Sequence, residues 1–172
     1  MSGIPDAAHT PRDVLSRYRT LAIVGLSPQW HRPSYFTAKY MQAHGYRIVP
    51  VNPAAAQVGG TLLGERVYAS LTLADAGVRA EGQRIEIVGC FRKSDEIAPL
   101  VDEAIAIGAP CVWLPKGVAN EAAALRARQA GILVMEDLCV KAEHTRLFSG
   151  PGWSLANARA ATSPKRRRQL PY

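Results

Sequence analysis

Short runs of apolar residues alternate with longer amphipathic segments along most of the chain. The apolar runs predict buried strands at 21–25, 46–52, 84–91, 110–115 and 132–136. The segments between them predict helices at 10–18, 34–44, 70–77, 94–108 and 121–130. Strands that are apolar on both sides and separated by helices form a parallel sheet covered on both faces. The pattern therefore predicts an α/β, Rossmann-like domain with a mainly parallel sheet of about five strands.

Local signals fix several helix ends. Thr10, Pro11 and Asp13 have the spacing of a capping box with proline in the first turn. Asn120 is placed to cap the alanine-rich helix, and Gly108 to end the preceding one. We expect residues 53–69 to be irregular with a small strand at 67–70, and residues 138–148 to form a turn or short helix.

Composition and charge divide the chain into a body and a tail. Of its 172 residues, 48% are hydrophobic and 20% charged, the balance of a globular domain. The net charge is +7, but residues 151–172 supply five basic residues and no acidic one. We therefore expect a loose start at 1–9, one domain at 10–150 and a basic, disordered tail at 151–172. The basic cluster at 165–168 is the one candidate for weak nucleic-acid binding, and we expect none by the body.

The compartment follows from what the sequence lacks. No segment approaches the ~20 apolar residues of a membrane span, and the start lacks the pattern of a secretory signal. Cys90, Cys111 and Cys139 fit neither a zinc site nor a redox CxxC pair, which favours free thiols in a reducing compartment. We expect a cytoplasmic protein without a membrane or metal partner.

The carboxyl ends of parallel strands are where such sheets bind ligands. The first strand is followed by VGLSPQWHRPSY, in which Ser27, Arg32 and Ser34 stand beside a helix N-terminus. Backbone N–H groups, a helix dipole and a guanidinium suit an anion. A stiff proline-bearing surface loop is the alternative.

Three further strand ends carry candidate binding residues. Asn52 and Pro53 end the second strand, Phe91 and Arg92 the third, and LPKGVANE follows the fourth. Plain turns and solvated cations explain the same residues without a ligand. The segment 135–144 brings acid, thiol, amine and imidazole groups together, but their spacing matches no nucleophile–base arrangement.

Five segments of the chain, in their order and spacing, resemble the small CoA-binding domain proteins. They are VGLSPQWHRPSY, RIVPVNP, CFRKSDE, PCVWLPKGVANE and LCVKAEH. These proteins are similar to the N-terminal domain of succinyl-CoA synthetase α-subunits. The resemblance implies a Rossmann-like domain that binds coenzyme A or acyl-CoA as a sensor, carrier or partner subunit. The synthetase's phosphohistidine domain has no counterpart here, so the resemblance implies binding and no ligase activity. It leaves open whether identical chains associate.

The resemblance also implies which residues contact the cofactor. For the nucleotide half these are Gly25, Ser27, Arg32, Ser34, Asn52, Pro53, Phe91 and Arg92. For the pantetheine side they are Lys116, Gly117, Asn120 and Cys139. Because pantetheine ends in a thiol, we expect Cys139 to form a mixed disulfide with CoA under oxidation; a buried inert thiol is the alternative.

An NAD(P)-type nucleotide-binding enzyme or redox sensor is the alternative function. The first loop has Gly25 but no GxGxxG pattern, and no acidic residue follows the second strand as NAD sites require. Both observations favour CoA.

Overall fold

A computed structural model of the chain describes residues 9–149. Residues 1–8 of the loose start predicted at 1–9, and the whole basic tail predicted at 151–172, lie outside these residues. The strands are β1 (Thr20–Val24), β2 (Arg47–Val51), β3 (Thr61–Leu62), β4 (Glu65–Arg66), β5 (Ile87–Cys90), β6 (Cys111–Trp113) and β7 (Leu133–Met135). The main sheet has the order β2-β1-β5-β6-β7, and every pairing in it is parallel. This confirms the predicted α/β, Rossmann-like fold.

Helices cover both faces of the sheet. They are α1 (Pro11–Arg17), α2 (Pro33–Ala43), α3 (Pro53–Gln57), α4 (Leu71–Ala80), α5 (Ile97–Ile107), α6 (Glu121–Gln129) and α7 (Val140–Phe148). One core joins a sheet face to α1, α2 and α7, and the other core joins the opposite face to α4, α5 and α6. Of the helices within residues 9–149, none is long and apolar enough to cross a membrane.

The central strand β1 shows why apolar runs mark this sheet. All five of its residues are buried. Leu21 and Ile23 point into one core, while Ala22 and Val24 point into the other. Because both faces are covered, the strand has no polar side to alternate with its apolar one.

The predicted helix caps are present. Thr10 and Asp13 form the reciprocal capping box of α1, with Pro11 in the first turn. The Asn120 side chain accepts from the Ala123 N–H at 3.0 Å and begins α6. Gly108 ends α5 in the left-handed conformation, with φ 70°.

The connection between β2 and α4 differs from the sequence prediction. Residues 53–57 form the short helix α3, which the Asn52 side chain caps by accepting from the Ala55 N–H at 3.2 Å. Strands β3 and β4 then form a small hairpin. The predicted strand at 67–70 is reduced to one bridge between Val51 and Tyr68.

Helix α4 continues past Gly77, where the sequence predicted its end. A Cβ on Gly77 would lie 2.3 Å from the Tyr68 hydroxyl oxygen. Glycine is therefore needed here for close packing of α4 against Tyr68, and it does not terminate the helix.

The chain reverses its direction of travel across the sheet between β1 and β5. From β1 it moves outward to β2, and it later returns to place β5 on the opposite side of β1. Loops that leave β1 and β5 therefore diverge, and a crevice opens between them at the carboxyl edge.

Candidate functional site

Gly25 lies at the point where the β1 and β5 loops meet. Its φ is +89°, and its N–H donates to the Val51 carbonyl at 2.8 Å. A Cβ on this residue would lie 2.2 Å from the Phe91 carbonyl oxygen and 2.9 Å from the Arg92 Cδ. The two loops can approach this closely only because residue 25 has no side chain.

The loop from Gly25 to α2 is held by its own hydrogen bonds. The Ser27 N–H donates to the Ser34 Oγ at 3.0 Å, and the Gln29 N–H donates to the Ser27 Oγ at 3.1 Å. Arg32 Nε donates to the Gln29 Oε1 at 3.1 Å. These bonds fix the loop while the Arg32 guanidinium remains exposed to solvent.

This loop forms one wall of a cavity of about 600 Å³ at the carboxyl edge of the sheet. Seven of the predicted binding residues line it: Gly25, Ser27, Arg32, Ser34, Phe91, Arg92 and Lys116. The volume falls within the range of small-molecule sites, about 300–1,000 Å³. The structure therefore brings the β1, β5 and β6 loops together as the sequence predicted.

This cavity of about 600 Å³, called the larger cavity below, carries an excess of positive charge. Arg32, Arg92, Lys93 and Lys116 line it, and Glu96 is its single acidic lining residue. The N-terminus of α2 lies in the same wall, with Pro33 at its first position. Cations and a helix N-terminus around one cavity favour an anionic ligand.

A smaller cavity of about 310 Å³ adjoins the first. Apolar side chains from β1, β2, α4 and α5 line it: Val24, Val51, Leu71 and Leu100. Arg92 and Glu96 line both cavities, and the Arg92 Nε lies 3.7 Å from the Glu96 Oε1. Pro53, another predicted binding residue, lines the smaller cavity.

Three predicted binding residues have structural partners instead. Besides capping α3, Asn52 donates from Nδ2 to the Leu26 carbonyl at 2.9 Å and so ties the β2 end to the first loop. The Gly117 N–H donates to the Asp137 Oδ1 at 3.1 Å. Asn120 caps α6 and donates to the Ser94 carbonyl at 3.4 Å. None of the three lines either cavity.

Cys139 stands at the N-cap of α7, is half-buried and lines neither cavity. The amine, acid and imidazole groups that lie near Cys139 in the sequence contact separate partners. Lys141 Nζ lies 5.2 Å from the centre of the Phe36 ring, and Glu143 pairs with Arg146 at 2.6 Å. His144 is buried, and its Nδ1 lies 3.1 Å from the Tyr40 hydroxyl oxygen. This geometry gives no nucleophile–base pair within segment 135–144.

Sequence reasoning missed several lining residues of the larger cavity: Pro28, Gln29, Lys93, Glu96, Pro115 and Val118. Lys93 and Glu96 belong to the segment CFRKSDE, which also contains Phe91 and Arg92. Their position at the end of the third predicted strand was the signal that could have identified them. Within residues 9–149, no group of three or more His, Cys, Asp or Glu side chains is arranged to hold a metal ion.

Comparisons with known proteins agree with the fold. The family model of the CoA binding domain matches residues 19–145. YneT of Bacillus subtilis (strain 168) is 34% identical over 133 residues, which are 77% of this chain and 90% of YneT.

Two solved structures are similar over most of the chain. A protein from Pyrococcus horikoshii OT3 is 31% identical, with a TM-score of 0.71 over 86% of this chain and 96% of that one. The cell-free ID.343 protein from Thermus thermophilus is 31% identical, with a TM-score of 0.69 over 80% of this chain and 96% of that one. The segment matched by the family contains every strand of the main sheet and the walls of both cavities. The chain therefore belongs to the CoA-binding domain family.

Proposed function

We propose that this chain binds coenzyme A or an acyl-CoA at the carboxyl edge of its sheet. The observation that carries the proposal is the larger cavity, where four cations and the N-terminus of α2 surround the crevice between β1 and β5. Membership of the CoA-binding domain family supports the same ligand. The proposal extends to binding and assigns no catalytic step.

The pyrophosphate belongs in the larger cavity. It is the part of CoA with the most concentrated negative charge after the ribose phosphate, and guanidinium groups bind phosphate oxygens in bidentate fashion. Arg32 and Arg92 approach the crevice from opposite loops. Gly25 begins the first of these loops, and its lack of a side chain lets the Phe91 carbonyl and Arg92 approach it closely.

The adenosine half fits the smaller cavity, and the pantetheine arm runs past Lys116. The smaller cavity offers an apolar floor to a base, with polar side chains at its rim. Lys116 and Val118 extend the larger cavity towards the β6 end. The Gly117–Asp137 hydrogen bond ties this loop to the segment that leads to Cys139.

Replacing Arg32 with Ala should weaken CoA binding by about 1.5 kcal/mol, or roughly tenfold in Kd. Because Arg32 is exposed, the effect should be near the lower end for a charge-assisted hydrogen bond. Isothermal titration calorimetry of the full chain with CoA measures it.

Arg17→Ala is the matched control, since Arg17 is an exposed arginine in the last turn of α1 and lines neither cavity. It should bind CoA as the wild type does. Equal Kd values for Arg32→Ala and the wild type would contradict the placement of the phosphates.

Oxidation with CoA disulfide should attach one CoA to Cys139. The Cys139 thiolate attacks the disulfide, forms a protein–CoA disulfide and releases one CoA thiolate, so the exchange needs no other oxidant. Cys90 and Cys111 should not react, because burial raises the pKa of each thiol to about 12.

Intact mass measurement reads out this exchange. The wild type should gain the mass of one CoA, and Cys139→Ser should gain none. An adduct that persists in Cys139→Ser, or no adduct on the wild type, would show that the pantetheine thiol does not reach Cys139.

A further inference from the structure

We propose that the smaller cavity disfavours a phosphate on the ribose, so the chain binds 3′-dephospho-CoA more tightly than CoA. This inference rests on the proposed function and specifies the nucleotide class that the site prefers. The observation behind it is an opposite charge balance in two adjoining cavities.

The charges of the smaller cavity are mainly acidic. Asp95, Glu96 and Glu103 line it, against Arg92 as its single cationic lining residue. The larger cavity has the reverse balance, with four cations and one carboxylate. A ligand that spans both cavities is therefore attracted by its pyrophosphate and repelled by a phosphate at its nucleoside end.

Arg92 offsets at most one of the three carboxylates of the smaller cavity, namely Glu96. Its Nε lies 3.7 Å from the Glu96 Oε1, so part of its charge is balanced within the protein. It also lines the larger cavity, where a bound pyrophosphate competes for the same guanidinium.

Of the three carboxylates, Asp95 is the one without a structural partner. Glu103 accepts from both the N–H and the hydroxyl of Thr72, each at 3.0 Å, at the N-terminus of α4. Glu96 accepts from the Lys93 N–H at 3.3 Å. In the part of the chain that the structure describes, the Asp95 carboxylate forms no hydrogen bond or ion pair. Its carboxylate is exposed and available to a ligand.

Free ribose hydroxyls suit the carboxylates of the smaller cavity better than a phosphate does. A hydroxyl donates a hydrogen bond to a carboxylate oxygen, whereas a phosphate dianion has only acceptor oxygens to present. Repulsion between exposed charges acts within a Debye length of about 8–10 Å and is weakened by salt. These carboxylates therefore disfavour a phosphate on the ribose and leave pyrophosphate binding intact.

The test is a pair of calorimetric titrations of the full chain with CoA and with 3′-dephospho-CoA, which differ only in that phosphate. At low ionic strength we expect the dephosphorylated ligand to bind about threefold or more tightly. Asp95→Asn should reduce this ratio towards one by improving the binding of CoA. Asp102→Asn makes the same charge change on the exposed side of α5, where Asp102 pairs with Arg126, and it should leave the ratio unchanged.

Salt separates electrostatic selection from shape. In 0.5–1 M NaCl, where the Debye length falls to about 3–4 Å, the preference should largely vanish in the wild type. CoA binding as tightly as or more tightly than 3′-dephospho-CoA at low salt would overturn the inference and leave the proposed function intact. Failure of both ligands to bind would overturn the proposed function together with the inference.

Discussion

Gly25→Ala should abolish CoA binding and destabilise the fold by about 3–4 kcal/mol. Part of this cost, about 1–2 kcal/mol, arises because φ at residue 25 is +89°, a conformation that L side chains rarely adopt. The rest arises because the new Cβ would lie 2.2 Å from the Phe91 carbonyl oxygen. The β5 loop must then move away, and the crevice proposed to bind the phosphates changes shape. Chemical denaturation and calorimetry measure the two effects.

Gly108→Ala separates the two contributions. Gly108 has φ +70°, but a Cβ there would meet no atom within 4 Å. Gly108→Ala should therefore lower the free energy of unfolding only by the conformational part, about 1–2 kcal/mol, and leave CoA binding unchanged. If Gly25→Ala is no less stable than Gly108→Ala and still binds CoA, the close approach of the two loops is not required.

Acid should destabilise the fold through His144, by about 2–3 kcal/mol between pH 7 and pH 4. Burial, with smaller electrostatic contributions from the neighbouring His44 and Arg19, lowers the pKa of His144 from 6.5 to about 4. The unfolded chain therefore binds a proton near pH 6.5, while the folded chain does not bind one until about pH 4. The stability from a neutral His144 is complete above pH 6.5 and is lost progressively as the pH falls towards 4.

Urea denaturation at several pH values between 7 and 4.5 measures this loss. His144→Gln should show a flatter dependence of the free energy of unfolding on pH, whatever its stability at pH 7. His31→Gln, which alters an exposed histidine, should keep the wild-type slope. A slope that is unchanged in His144→Gln would show that another group titrates.

The main sheet could be predicted because burial on both faces leaves continuous apolar runs. The run at 21–25 differs from β1 by one residue at each end. Helix α3 was missed because it buries none of its residues and so has no apolar stripe. Asn52 followed by Pro53 was a helix-start signal, but it is equally typical of a turn.

The clustering of the candidate loops around one cavity was more predictable than the contacts of their individual residues. The rule that ligands bind at carboxyl strand ends selected loops that meet at one cavity, and seven of the predicted residues line it. Asn52, Gly117 and Asn120 lie in those loops but serve hydrogen bonds within the protein. Sequence spacing places a residue in a loop, whereas only three-dimensional structure shows which atoms its side chain contacts.

The carboxylates of the smaller cavity also could not be assigned to one site from the sequence. Glu103 lies seven positions beyond Glu96, on the other side of a helix start, and no local pattern associates it with a ligand. Packing of α4 against α5 brings Ser70 and Glu103 to the same small cavity. Charge balance in a cavity therefore emerges from helix packing and could not be derived from the motif alone.

Native mass spectrometry of the full chain with added CoA tests the central claim most directly. The wild type should form a one-to-one complex with CoA, and a double variant, Arg32→Ala with Arg92→Ala, should lose it, because these guanidinium groups line the larger cavity from opposite loops. Arg17→Ala should retain the complex. A wild type that forms no complex, or a double variant that binds CoA as well as the wild type does, would contradict the account.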